Sequence, residues 1–493
     1  MTTLFPERKE CKTETGTAKG SNRKRIAHAT AWTMVSYVMG TALRLISNLV
    51  LARLLFPEAF ALLALAGVLT QGLKMFSDIG IGPSIIQSRF GEEPKFLDTA
   101  WTLQVIRGAW LFIAACGLAY PFALFYKTPE LLWIVPASAF PSIISGFNSP
   151  ALFTLNRQLA MAKIALLKLG ESVVKLTVTI AWAVVYPSVW AILSGVVASQ
   201  VFYTTASHFW LSPRYRRRFT WDRDAARELL HFGSWVFLST SIIFCANQAD
   251  RLMLGKLIPL DQLGVYSIGL MFSQFPIQIC VTVMASVAFP ALSSIVRTKP
   301  SQLAETLVRI RKLVLTLGSA ATIIFMVLSP WFFHLAYDYR YQSAVWMAPL
   351  LVFVMWFRIL QSSCDRALLA LGDTRALFLS SLVNFIVTVI ACLLGFHVMG
   401  VAGFIAGCGI GNLAGHAMIA KMLNRRDLLK IKQDLGYTTI VVLGGIFGVW
   451  LPSNLSMDLA TCEGRIRIIF QGILGVVAGI VAVTTALNLW NKR

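Results

Sequence analysis

Fourteen stretches of about 20 mostly apolar residues run through this chain of 493 residues. They lie at approximately 30–51, 58–78, 100–123, 131–152, 162–185, 188–209, 230–251, 264–288, 308–329, 344–364, 376–396, 399–420, 436–453 and 468–489. Each is long enough to cross the roughly 30 Å hydrocarbon core of a bilayer as a helix. In lipid a backbone must satisfy its own polar groups, which a helix does within one segment. The expected fold is therefore all-α: a polytopic membrane protein with about fourteen transmembrane helices. A mean hydropathy of +0.68 and a charged fraction of 14% agree, since soluble domains carry about 25% charged residues.

The formal net charge of +21 would point to nucleic acid in a soluble protein. Here its distribution gives another meaning. With the N-terminus placed inside, the cytoplasmic segments hold 31 of the 44 Lys and Arg, the opposite loops hold seven, and six lie within spans. That asymmetry orients a multi-pass protein with both termini cytoplasmic and removes the case for a nucleic-acid partner. Residues 1–28 are polar and basic, with no apolar core or cleavage site of a signal peptide, and read as a disordered cytoplasmic tail.

The chain also repeats. LVLARLLFPEAFALLALA (49–66) aligns without gaps to LMLGKLIPLDQLGVYSIG, 203 residues further on. Arg53 falls on Lys256, and Glu58 on Asp261. Six spans separate the copies, so both halves face the same way, related by an axis along the membrane normal with the path between them. This divides the chain into a six-helix bundle over 29–210, a basic linker over 211–229 suited to anionic lipid, and a second six-helix bundle over 230–421. Residues 422–493 add a cytoplasmic loop and two appended spans.

Six basic residues are stranded inside spans with few carboxylates nearby. A charge at the bilayer centre costs roughly 3 kcal/mol, so such groups normally face a polar interior. Arg44 lies deep in the first span, with no carboxylate within two turns. Lys168, Glu171 and Lys175 share one helix face by their i, i+3 and i+4 spacing, either as a self-neutralising pair with one charge left over or as part of a cationic cavity. Glu171, the only deeply placed carboxylate, is the candidate for ion coupling. Arg107 and Arg358 sit toward the cytoplasmic ends of their spans, where they either face the cavity or snorkel to the interface. Asp250 and Arg251 end the seventh span, and by the repeat Asn247 corresponds to Arg44 and Arg251 to Asn48. Several intramembrane cations imply something negative as cargo.

Other chemistries find no support. The eight cysteines and six histidines show no metal-ligand spacing, and there is no phosphate-binding GxxxxGK[ST] loop. No external loop reaches twenty residues, too little for the catalytic part of a polymerase, ligase or glycosyltransferase. No cofactor is implied.

ARLLFPEAFA, then DIGIGPSIIQS, SPALFTLNRQLAMAKIALLKLGES and NQADRLMLGKLIPLDQLGVYSIG resemble the bacterial polysaccharide transporter family. That family belongs to the multidrug/oligosaccharidyl-lipid/polysaccharide exporter superfamily, and the likeness is to its exopolysaccharide, succinoglycan-type branch. The resemblance implies a flippase of the bacterial inner membrane that moves an undecaprenyl-pyrophosphate-linked oligosaccharide outward by alternating access, without catalysis. It implies membrane lipid, a polysaccharide polymerase and a copolymerase as partners. It also assigns Arg44, Arg107, Lys168, Lys175, Arg251 and Arg358 to the anionic headgroup, with Glu171 and Asp250 as ion-coupling candidates. The alternative within the superfamily is a cation-coupled drug exporter, which usually carries an acid in its first span; here that span carries Arg44 and no acid.

Overall fold

The computed structural model describes residues 39–77, 93–157, 161–210, 219–222, 244–298, 300–429 and 431–453, together with Trp32, Ser36, Ile81 and Ile85. The N-terminal tail, most of the linker and the fourteenth expected span lie outside the described residues.

The described residues are helical, joined by short turns. In the first half they form α1 (39–54), α2 (Pro57–Phe76), α3 (Pro94–Tyr126), α4 (Leu131–Gly146), the short α5 (Ala151–Arg157), α6 (Met161–Val185) and α7 (Val189–Phe209). The second half has α8 (244–257), α9 (Leu260–Val283), a π turn at Met284–Ala288, α10 (Phe289–Thr298), α11 (Leu303–Ala336), α12 (Ala344–Ala370) and α13 (Thr374–Asn424); α14 (Ile431–Ser453) follows. Seven of these helices are long and apolar enough to span a membrane by length and composition. α6 is excluded from that set by its own lysines and glutamate. α13 is one continuous run broken at Met399 and Gly400, where Gly400 takes φ 59. That left-handed residue folds the run into two antiparallel limbs, matching the two spans expected there.

Several helices outrun their apolar stretches. α3 has 33 residues and α11 has 34, about 50 Å at 1.5 Å per residue. Backbone hydrogen bonding continues past the last apolar side chain, so hydropathy marks the lipid-embedded part and not the helix. α4 is shorter than expected: it carries Pro136 and Pro141 and ends at Gly146.

The repeat is visible as backbone. α1 ends at 54 and α8 at 257; α2 begins at Pro57 and α9 at Leu260, in register with the offset of 203 residues. α2 and α9 pack against each other at the junction of the halves, so closely that a Cβ on Gly264 would stand 1.9 Å from the Pro57 carbonyl oxygen. Lipid tails are as apolar as leucine, so close packing of small residues holds such helices together. The same logic pairs α6 with α7 and one limb of α13 with the other. A Cβ at Gly195 would strike Thr179 Oγ1 at 1.9 Å, and one at Gly411 would strike Thr388 Oγ1 at 1.8 Å. These contacts extend the repeat: Ser172, Lys175 and Thr179 fall on Ser381, Asn384 and Thr388 at a constant offset. Trp110, Leu124 and Val398 lie exposed on the outside of the bundle, as suits side chains solvated by lipid.

Candidate functional site

In the first half a cavity of about 560 Å3 opens between α1 and α6, with Phe60 and Leu63 of α2 and Ile192 of α7 completing its wall. α1 and α6 are neighbours here: a Cβ on Gly40 would lie 4.0 Å from Ser172 Oγ. Arg44 projects from α1, and Lys168, Glu171 and Lys175 from α6, and all four line this one space. The three cations are exposed within it. Among the described residues Glu171 makes no salt bridge with either lysine, so the self-neutralising pair is not formed. Two positive charges remain uncompensated. At the end where α1 turns into α2 the cavity gives way to a dry cluster of Leu51, Leu55, Ala59, Ala183 and Ala191.

The second half has two smaller cavities. One of about 290 Å3 is lined by Asn247, Arg358, Gln361, Asp365, Arg366 and Asn384, among others. The other, of about 50 Å3, takes in Asp250, Arg251, Thr388 and Asn412, and Arg358 borders both. An amide ladder connects them. Asn384 Nδ2 donates to Gln361 Oε1 at 3.3 Å and to Asn412 Oδ1 at 3.2 Å, while Thr388 Oγ1 donates to Asn384 Oδ1 at 3.0 Å. Arg358 Nη2 donates to Asn247 Oδ1. Tyr266 donates its hydroxyl to Asp250 Oδ2 at 2.9 Å, and Arg251 reaches Gln248.

Five of the six cations singled out in the sequence thus line a cavity, three in the first half and two in the second. Arg107 lines none of these three. Its Nη2 donates to the Lys74 carbonyl at 2.8 Å and its Nε to Ser77 Oγ at 3.1 Å, which places a positive charge on the C-terminal end of α2, where the helix dipole favours it. The arginine that sequence reading assigned to the headgroup serves as a helix cap.

The halves are joined at the turn end by matched contacts. Arg53 Nε donates to the Ala336 carbonyl, the last residue of α11, at 3.3 Å. Its repeat partner Lys256 donates to the Phe125 carbonyl near the end of α3. Tyr341 donates to the Leu55 carbonyl at 3.3 Å and Tyr126 to the Leu252 carbonyl at 2.9 Å. Each half therefore places a cation on the C-terminal end of a long helix in the other.

Two features were not apparent from the sequence. Arg311, 1% exposed, binds Asp434 Oδ1 through Nη2 at 2.6 Å and Ser363 Oγ through Nε at 3.1 Å. His416 Nε2 contacts the other oxygen of Asp434 at 3.1 Å. This buried triad ties α14 to α11, α12 and the second limb of α13. The other is Asp365, whose position on α12 beside two arginines gave no signal in hydropathy.

A scan of protein families matches residues 50–346 to the family described as polysaccharide biosynthesis protein. The match covers more than half of the chain. The chain belongs to that family. Among curated relatives, the lipopolysaccharide biosynthesis protein WzxC of Escherichia coli is 20% identical over 92% of this chain and 90% of its own length. The teichuronic acid biosynthesis protein TuaB of Bacillus subtilis is 22% identical over 71% of this chain and 72% of its length. The succinoglycan biosynthesis transport protein ExoT of Rhizobium meliloti is 21% identical over 56% of each. Among solved structures, the lipid II flippase MurJ in an inward closed conformation superposes with a TM-score of 0.69, at 13% identity, over 95% of this chain and 100% of that one. An inward-facing multidrug transporter of the MOP superfamily gives 0.61, at 15% identity, over 77% and 94%. This polysaccharide biosynthesis family member thus has the all-helical fold of the MOP-superfamily transporters.

Proposed function

We propose that the protein is a flippase that carries a lipid-linked polysaccharide repeat unit across the bacterial inner membrane, from the cytoplasmic to the periplasmic face. The observation that carries this reading is the first-half cavity, where Arg44, Lys168 and Lys175 surround one space against a single carboxylate. An undecaprenyl pyrophosphate headgroup has to cross a medium in which charges interact far more strongly than in water. Cations fixed in a cavity compensate it there, while the polyprenyl tail stays in lipid between helices. Relatives named for lipopolysaccharide, teichuronic acid and succinoglycan synthesis support the substrate class, and the succinoglycan relative supports an acidic exopolysaccharide unit.

In this reading the turn end is periplasmic, both termini are cytoplasmic, and the reciprocal contacts of Arg53 and Lys256 hold the outer side closed. Alternating access requires those contacts to part as the halves rock about the α2–α9 seam. Glu171, in the same cavity as the headgroup, is the ion-coupling candidate. Asp250, already bonded to Tyr266, is a weaker acceptor for an ion. The product would pass to a polymerase and copolymerase at the periplasmic face. The test is Arg44→Ala in a producing strain, with polymer export measured alongside protein level in the membrane. The reading expects export to be lost at an unchanged protein level; full export would remove Arg44 from the headgroup site.

A further inference from the structure

The two halves share a scaffold but not a chemistry. At repeat-equivalent positions the first half carries Arg44, Glu171 and Lys175, and the second carries Asn247, Ser380 and Asn384. At these positions amides and hydroxyls replace charges, while Arg358, Asp365 and Arg366 bring charges of their own from α12. The resulting cavity of about 290 Å3 lies near the lower bound of roughly 300 Å3 for small-molecule sites.

Resting on the flippase reading, we propose that this second-half cavity is a glycan subsite, binding a sugar of the same substrate whose pyrophosphate sits in the first half. An amide offers donors and an acceptor together, and so does a sugar hydroxyl. Gln361 donates to Ser380 Oγ at 3.2 Å and accepts from Asn384, which still leaves its Nε2 a second hydrogen and its Oε1 a second lone pair to offer a ligand. The independent observation is Asp365. It lines this cavity, and its Oδ1 is buried with no hydrogen-bond partner among the described residues. A buried acceptor left unsatisfied costs about 1–3 kcal/mol, and a hydroxyl donor from a sugar relieves that cost.

Other occupants fit less well. A pyrophosphate would meet Arg358 and Arg366 here, but Arg358 is already held by Asn247 and the Asp365 carboxylate repels an anion, so the first-half cavity with three cations to one acid suits it better. A metal or sodium ion would meet the carboxylate but also Arg358 and Arg366 in the same cavity. A neutral, hydroxyl-bearing group satisfies both the acid and the donors.

The experiment uses the full-length protein in nanodiscs and two ligands: undecaprenyl pyrophosphate, and the same lipid carrying a neutral hexose disaccharide. The readout is the ratio of their affinities. The isosteric Asp365→Asn and the truncating Asn384→Ala should each lower the preference for the glycosylated lipid roughly fivefold, the scale of one lost neutral hydrogen bond. Arg44→Ala should weaken both ligands together. If Asn384→Ala fails to fold, Asn384→Ser supplies the same comparison. A preference untouched by Asp365→Asn and the Asn384 variant overturns the subsite, even if Arg44→Ala behaves as expected. So does a loss of proton- or sodium-gradient dependence in Asp365→Asn with the preference intact, which gives that carboxylate to coupling. Wild-type protein that binds neither lipid contradicts the flippase reading itself.

Discussion

The two halves of this bundle use the same backbone to build opposite interiors. The first half sets three cations and one acid around about 560 Å3. The second half, at equivalent positions, sets asparagines and serines around about 290 Å3; of the two arginines that line that space beside Asp365, Arg358 is tied to Asn247. The glycine contacts at Gly195 and Gly411 show that the helices cross in the same way in both. At these equivalent positions what differs is the side chains. A repeat supplies geometry, and each copy then takes on its own ligand chemistry.

The largest expected stability effect sits on the side of the comparison that has a buried charge network. Asp434→Ala leaves Arg311 and His416 without their carboxylate, and removing one partner of a buried ion pair costs about 3–5 kcal/mol. Thermal unfolding in detergent should show it, together with loosening of α14 from the second half. Arg44→Ala, whose side chain faces open cavity, should leave the unfolding midpoint close to wild type. A midpoint that drops equally in both variants would break the contrast between a structural charge and a functional one.

The turn-end contacts test whether the halves remain equivalent where their sequences stay alike. Arg53→Ala and Lys256→Ala each remove one exposed cation-to-carbonyl bond, a loss of about 0.5–1.5 kcal/mol. Both should raise labelling of a cysteine placed at Leu55, and by similar amounts. A large effect from one and none from the other would mean that the closure is carried by a single half.

A smaller effect belongs to Asp373, the N-cap of α13. The Ala376 backbone N–H, donating at 3.1 Å, and then the Arg426 guanidinium hold its carboxyl below the ordinary carboxylate range. A depressed value means that the cap contributes fully above the unfolded carboxylate range and is lost as pH falls through the folded value. Protection of the Ala376 amide, relative to its intrinsic exchange rate, should fall only in acid, and Asp373→Ala should lower it at neutral pH by about 1 kcal/mol of local stability.

Much of this was legible from residue order because membrane helices report themselves by hydropathy. The gapless repeat at Arg53 and Lys256 also gave the register between the two helix turns, although the apolar stretches ended at 51 and 251, short of the observed helix ends at 54 and 257. Arg44 and the Lys168–Glu171–Lys175 face could be singled out because charge in a span is costly wherever it points. Arg107 could not be resolved in the same way: its partners, the end of α2, lie 30 residues or more away, and hydropathy does not distinguish a cap from a cavity lining. The Arg311–Asp434–His416 triad was hidden because each member sits near a span end, where charge is ordinary. The correspondence of Lys175 with Asn384 was missed because loops of different length break the offset between the two halves.

The central claim is that the cation in the first half, and not its amide counterpart in the second, carries the headgroup. The direct measurement is flipping of an undecaprenyl-pyrophosphate-linked oligosaccharide in proteoliposomes by Lys175→Asn and by Asn384→Lys, each of which gives one half the other's residue. The account predicts that Lys175→Asn loses flipping by about a hundredfold, the scale of a lost charged contact, while Asn384→Lys retains headgroup binding. Wild-type flipping by Lys175→Asn would contradict it.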